Sequence, residues 1–196
     1  MLTIACMNRT LLSLIGFLMV VTSRAALGTD DFKLEPGYIS LFNGADLTGW
    51  GYRTNNFDGK LASDDGRYSA ADGIFIVHPR VPRRAQKIWT TRVFTNDFIL
   101  RLEFRAATNA DSGIFIREPQ LQCRDYLRAG PYKELKRYKP QDWNEIEIIV
   151  ANGVAHCTCN GELLEDALKV PPAGPIGLEA DLGQMEYRHI RLKESP

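Results

Sequence analysis

Several short stretches of the 196-residue chain place planar hydrogen-bonding side chains at alternate positions, with apolar ones between them. Glu103 and Arg105 alternate with Leu102 and Phe104, and Gln120 and Gln122 with Leu121 and Cys123. Arg117, Glu147, Glu179, Glu186 and Arg188 extend the set. Carboxylates, guanidiniums and amides offer paired donors or acceptors that match vicinal hydroxyls. Trp50, Trp89, Phe115, Tyr126 and Tyr132 supply rings that could pack on the C–H face of a sugar. If the strands adjoin and curve, these groups line one concave polar surface suited to a carbohydrate. The competing reading is a solvated sheet face, because the outer side of an antiparallel sheet is polar as a rule.

Other chemistries lack their residues. The chain has no G-x-S-x-G, P-loop, G-x-G-x-x-G or H-E-x-x-H motif. His78, His156 and His189 lie far apart without ligand spacing, which argues against a histidine-built zinc site. No cofactor is expected. A hard cation held by Asp and backbone oxygens stays open, although Asp30-Asp31 and Asp64-Asp65 lack regular loop spacing. Paired-carboxylate glycoside hydrolysis on a β-sandwich would show an E-x-D-x-E strand. Glu145-Ile146-Glu147 is the nearest approach, and a solvated strand face accounts for it.

The elements that must position these groups are strands. Period-two alternation runs through 73–77, 98–105, 112–117, 120–123, 145–150, 154–160, 175–181 and 185–193. Asn152-Gly153 and Asn160-Gly161 are hairpin signals between successive runs. The best helical stretch, Tyr132 to Tyr138, is short and sits between prolines. Many short strands with tight turns predict an all-β antiparallel sandwich or barrel.

With 24 basic and 24 acidic residues, the chain lacks the basic excess of a nucleic-acid or polybasic membrane binder. Leu11 to Val21 is an apolar run of signal-peptide length, preceded by Arg9 and followed by the small residues Ala25-Ala26. Residues 1–26 are thus expected to be a signal peptide, 27–37 a short linker and 38–194 a single domain. The mature protein is expected in the periplasm or outside the cell, with no stable membrane insertion. An uncleaved anchor is the alternative. Cleavage would leave Cys123, Cys157 and Cys159; Cys157 and Cys159 alternate on one strand face as small core residues, with a bridge from Cys123 to either open if the strands are neighbours.

The stretch Tyr38 to Trp50 (YISLFNGADLTGW) resembles the opening of the 3-keto-disaccharide hydrolase domain family. Further landmarks follow in the family's order. They are Asp97 to Arg105, Asp111 to Arg117 against N-S-G-I-x-x-R, Gln120 to Asp125 against E-x-Q-x-x-D, Trp143-Asn144, Asn160-Gly161, Pro175 to Glu179 and Glu186 to Ile190. The resemblance implies a concanavalin-like, jelly-roll β-sandwich and an exported enzyme acting on an oxidised glycoside. A ketone at C3 acidifies the C2–H. A base removes that proton, the aglycone leaves C1 by elimination, and water adds, for net hydrolysis.

This route needs one base and one enolate stabiliser, so the missing carboxylate pair is no objection. On the resemblance, Arg117 would hold the enolate oxygen, Asp125, Glu179 or Asp181 would be the base, and Glu103 the acid or positioning group. Trp50, Gln120, Gln122, Tyr132 and Arg188 would bind the sugar. Two positions depart from the family pattern. Gln120 stands where the family has glutamate, and Asp181 where it has histidine. The bland alternatives are an Arg117–Glu103 cross-strand pair and Asp125 as a turn cap. A carbohydrate-binding module without catalysis is the alternative function.

Overall fold

The computed structural model describes residues 31–79, 85–128 and 130–195. The expected signal peptide 1–26 with Cys6, and the first part of the 27–37 linker, lie outside the described residues. From Phe32 onward the chain is one compact unit. Its strands are β1 (Ile39–Ser40), β2 (Trp50–Tyr52), β3 (Asn55–Asn56), β4 (Tyr68–Ala71), β5 (Ile74–Val77), β6 (Gln86–Thr90) and β7 (Phe98–Ala106). They continue with β8 (Asp111–Ile116), β9 (Gln120–Arg124), β10 (Asn144–Ala151), β11 (Val154–Cys159), β12 (Glu162–Lys169), β13 (Ile176–Ala180) and β14 (Met185–Glu194). Every pairing between them is antiparallel.

The strands form two sheets. The first runs β12-β11-β10-β7-β14-β5-β4, with β1 also on β14; the second runs β3-β2-β6-β13-β8-β9. This is the antiparallel sandwich that the alternation predicts. Phe98, Leu100, Leu102 and Phe104 of β7 and Ile146, Ile148 and Val150 of β10 are buried in one core cluster. Ile88, Ile114, Ile116, Leu121, Ile176 and Leu178 of the second sheet join the same cluster. Burying each such side chain contributes roughly 1.5–3 kcal/mol, so one apolar face per sheet suffices to join the layers.

Both hairpin signals are realised. Asn152 and Gly153 take φ of 52° and 77°, and Asn160 and Gly161 take 48° and 77°, the left-handed pairs that a tight hairpin requires. A bulge between Arg188 and Arg191 bends β14, so its first half pairs with β5 and its second with β1. The helical signal at Tyr132 to Tyr138 reduces to a 3-10 turn at Pro131–Glu134.

Cys123 lies on β9 and Cys157 and Cys159 on β11, in different sheets, and all three are free and buried. Burial pushes the Cys157 and Cys159 thiols up to about 12, as expected of inert core residues. Among the described residues no helix is long and apolar enough to cross a membrane.

Candidate functional site

Strand order decides which polar groups meet. Strands β7, β10 and β14 belong to the first sheet, while β6, β8, β9 and β13 belong to the second. The outward residues of the two sets therefore point to opposite sides of the sandwich. The single convergence of Glu103, Arg117, Gln122, Asp125 and Glu179 expected from sequence does not form.

On the outer face of the second sheet, the register builds rows of side chains. One row crosses Asn56, Gly51, Trp89, Gly177, Phe115 and Gln120. Beside it Glu179 pairs with Lys87 on one side, and on the other Gly113 pairs with Gln122. The glycines form the floor. A Cβ on Gly177 would come 2.7 Å from the Trp89 ring, and one on Gly113 would come 2.1 Å from Gln120 Nε2. Their absence lets Trp89 lie across β13 and lets Gln120 reach over β8 to donate to Glu179 Oε2 at 2.8 Å.

Glu179 is held from beneath. The Ser112 hydroxyl donates to its backbone carbonyl at 2.6 Å, and Arg67 donates to the next carbonyl, Ala180 O, at 3.3 Å. Its carboxylate is half-buried, and desolvation raises its pKa above the ordinary value. Lys87 opposes that shift, while Asp181 and Asp111 add to it. Among the described residues no Lys, Arg or His nitrogen forms an ion pair with Glu179 within 4 Å. Asp111 is neutralised instead by Arg128 at 2.6 Å and Arg124 at 3.8 Å.

The Lys87 ammonium lies 3.8 Å from the centre of the Phe115 ring, which stands edge-on to Trp89 at 5.6 Å. The Arg53 guanidinium covers Trp89 at 4.8 Å and pairs with Glu118 at 2.7 Å. A hollow of about 530 Å³ opens between Lys87, Trp89, Arg53 and Glu118; Glu179, Gln120 and Gln122 lie beside it and do not line it. The arrangement offers a carboxylate with a raised pKa, an opposed ammonium and two amides; the Trp89 and Phe115 rings beneath are buried and covered by Arg53 and Lys87. It can take a proton, steady a developing oxyanion and read hydroxyls.

The other expected site residues have different surroundings. Glu103 and Arg188 are on the first sheet and pair with each other at 2.7 Å, with His189 Nδ1 3.3 Å from Glu103, so the Arg117–Glu103 pair does not form. Arg117, 2% exposed, follows β8 with φ of 65° and donates to Pro171 O at 2.8 Å and Asn96 O at 2.6 Å. Its guanidinium is committed to two loop carbonyls. Asp125 is buried and accepts from Asn109 N at 2.9 Å and from the Tyr138 hydroxyl at 3.2 Å, so it caps a turn.

Trp50 is fully buried, with its indole N–H on Leu41 O at 2.7 Å, and Tyr126 is equally buried. Tyr132 packs edge-on to Tyr126 at 5.3 Å against the core. None of these rings presents a face for stacking. Of the expected set, Glu179, Gln120 and Gln122 share the second face, and Asp181 lies close enough to act on Glu179 electrostatically. Lys87 and Arg53 were not anticipated. The signals that could have found them are the alternation of Lys87 and Trp89 and the in-strand glycines Gly51, Gly113 and Gly177. Among the described residues no group of three or more His, Cys, Asp or Glu gathers as a metal site.

A family model described as the 3-keto-alpha-glucoside-1,2-lyase-like domain matches residues 37–193. The fold is similar to that of two candidate glycosyl hydrolases from Parabacteroides distasonis. One has a TM-score of 0.64 at 17% identity, covering 82% of this chain and 95% of that one. The second scores 0.58 at 19% identity, covering 81% and 99%. The metal-free carbohydrate recognition domain of Emp46p scores 0.51 at 10% identity, covering 66% and 86%. At these identities the likeness is one of fold. No curated protein matches the chain.

Proposed function

Because the chain belongs to the 3-keto-alpha-glucoside-1,2-lyase-like family, whose members are carbohydrate-active domains, we propose that it cleaves 3-keto-glycosides on the outer face of its second sheet. The observation that carries this reading is Glu179. It is a half-buried carboxylate whose pKa is raised by desolvation, hydrogen-bonded to Gln120 and facing Lys87 across the strand pair. A base with a pKa closer to neutrality accepts a C–H proton more effectively than an ordinary exposed carboxylate.

Glu179 removes the C2 proton, and the C–H electron pair moves into the enolate, with negative charge on the C3 oxygen. The Lys87 ammonium stabilises that charge, as a fixed donor does for an oxyanion. The enolate reforms the ketone as C1 and C2 become doubly bonded. The C1–O bond breaks, and the aglycone leaves as an alkoxide that takes up a proton. Water then adds at C1 and a proton returns to C2, so the net change is hydrolysis. Gln120 orients the Glu179 carboxylate, and Gln122 reads a hydroxyl of the sugar. Asp181 modulates the charge at Glu179. A solvated sheet face would hardly place a desolvated acid beside an amide that crosses a glycine to reach it.

The protein is proposed to act in the periplasm or outside the cell, following the leader-like composition of 1–26. The test is aglycone release from a 3-keto-glucoside, measured against the same glucoside with C3 unoxidised. Release from the ketone alone is the expected result. Binding of both sugars with release from neither would establish a carbohydrate-binding module instead.

A further inference from the structure

A second hollow, about 570 Å³, lies on the same face, over Gly51. Asn55, Asn56, Thr91 and Val93 line it, and Tyr52, Arg53 and Trp89 are its common wall with the hollow beside Lys87. Its volume falls in the range of small-molecule sites. Neither Glu179 nor Lys87 lines it. It extends over β6, β2 and β3, one to three strands from β13, a distance of roughly 5–14 Å at the spacing of paired strands. Its near wall on β6 is thus within reach of a group joined through C1 to a sugar ring seated at Glu179, and its far wall, Asn56 on β3, is met by the distal side of a second sugar ring.

The row described above lines this hollow with Asn56, Gly51 and Trp89, touches the hollow beside Lys87 at Trp89, and continues past both to Gly177, Phe115 and Gln120. It has an amide at each end, Asn56 and Gln120, with Trp89 and Phe115 between them over glycine. Gln120 spends its amide on Glu179. Asn56 is exposed, stands opposite Gly51 with no side chain between it and Trp89, and has no side-chain hydrogen bond within the described residues. The charged group in this hollow, Arg53, is paired with Glu118. The lining therefore offers amides and a hydroxyl beside apolar surface from Trp89 and Val93, with no unpaired charge.

We infer that Asn56 is a specificity-determining residue, and that this hollow seats the leaving group and selects one that is neutral and hydroxylated. The inference rests on the proposed cleavage at Glu179 for its orientation.

The test compares two substrates with the same oxidised ring, a 3-keto-disaccharide and a nitrophenyl 3-keto-glucoside. Asn56→Leu is expected to raise KM for the disaccharide about tenfold, the value of one lost hydrogen bond. It should leave kcat for that substrate, and both constants for the nitrophenyl glucoside, within twofold. Asn56→Gln, which keeps the amide, is expected to recover most of the loss. Equal effects on both substrates, or none on either, would overturn the assignment.

The same disaccharide is also titrated calorimetrically into Glu179→Gln and into Glu179→Gln/Asn56→Leu, so that the seat is read without turnover. About tenfold weaker binding by the double variant supports the seat, and unchanged binding overturns it. This binding difference between the two variants, together with a wild-type protein that releases no aglycone, would refute the cleavage and leave the seat standing.

Discussion

The two outer faces of the sandwich have similar composition and opposite electrostatics. On β7, β10 and β14 of the first sheet each carboxylate meets a guanidinium. Glu103 pairs with Arg188 at 2.7 Å, Glu147 with Arg101 at 2.6 Å, Glu186 with Arg105 at 2.7 Å, and Glu35 with Arg191 at 2.7 Å. Trp143 lies between two of those arginines, 4.7 Å from Arg105 and 4.1 Å from Arg188. Hydrogen bonds from Arg191 hold the Glu35 carboxyl below the usual range. On the second sheet, among the described residues, Glu179 has an amide instead of a guanidinium, and its pKa moves up. A face whose charges are mutually satisfied has little left to offer a substrate. A face that leaves an acid desolvated and unpaired by arginine retains a group that can take a proton.

The sharpest way to break this comparison is to neutralise one acid on each face. Glu179→Gln is expected to lower kcat/KM by about 10²- to 10⁴-fold, the usual worth of a general base. Glu103→Gln is expected to leave kcat/KM within twofold. Equal losses in the same aglycone-release assay would remove the assignment of the site to the second sheet. Lys87→Met is expected to cost about 10²- to 10³-fold, the range for one oxyanion donor, mainly in kcat.

Arg117 tests stability in place of chemistry. Arg117→Met leaves the Pro171 and Asn96 carbonyls without their donor and should destabilise the fold by about 2 kcal/mol in urea unfolding. The protein that remains folded should retain its kcat. A variant that unfolds normally but has lost its kcat would return Arg117 to the reaction.

The pH dependence separates the faces by sign. The acid limb of kcat/KM should fall above the ordinary carboxylate pKa of about 4.3, because Glu179 must be deprotonated and its pKa is raised. For stability, a raised native pKa means that the folded state binds the proton more tightly. The contribution of Glu179 is therefore present below its unfolded pKa and lost as pH rises through the folded value. Glu179→Gln should then be at least as stable as the wild type at neutral pH. Glu35 has the opposite sign. Its stabilisation is present above its unfolded pKa and lost as pH falls through the lowered folded value. The smallest effect belongs to the partly exposed Glu103–Arg188 pair, whose double-mutant coupling in unfolding should lie between about 0 and 1 kcal/mol.

Much of the architecture was legible in alternation. Phe98 to Phe104 and Ile146 to Val150 announced strands with one apolar face, and Asn152-Gly153 and Asn160-Gly161 announced their hairpins. The site was legible only in part. Glu179, Gln120 and Gln122 stood on outward positions and proved to share a face. Arg117 occupies an outward position at the end of the 112–117 run, yet a left-handed backbone there turns its side chain into the loops. Trp50 and Tyr126 had the composition of stacking rings, but large aromatics also fill cores, and residue type does not separate the two uses.

Period two by itself determined which side of each strand is apolar, because successive side chains must point to opposite faces. It could not determine which sheet a strand joins. A strand of either layer carries the same apolar-in, polar-out pattern, since both layers bury one face against a common core. Only the tertiary pairing of β7 with β10 and β14, and of β13 with β6 and β8, sent Glu103 and Glu179 to opposite sides of the molecule. The same pairing placed Gly113 beneath Gln120, where the missing Cβ opens the path to Glu179.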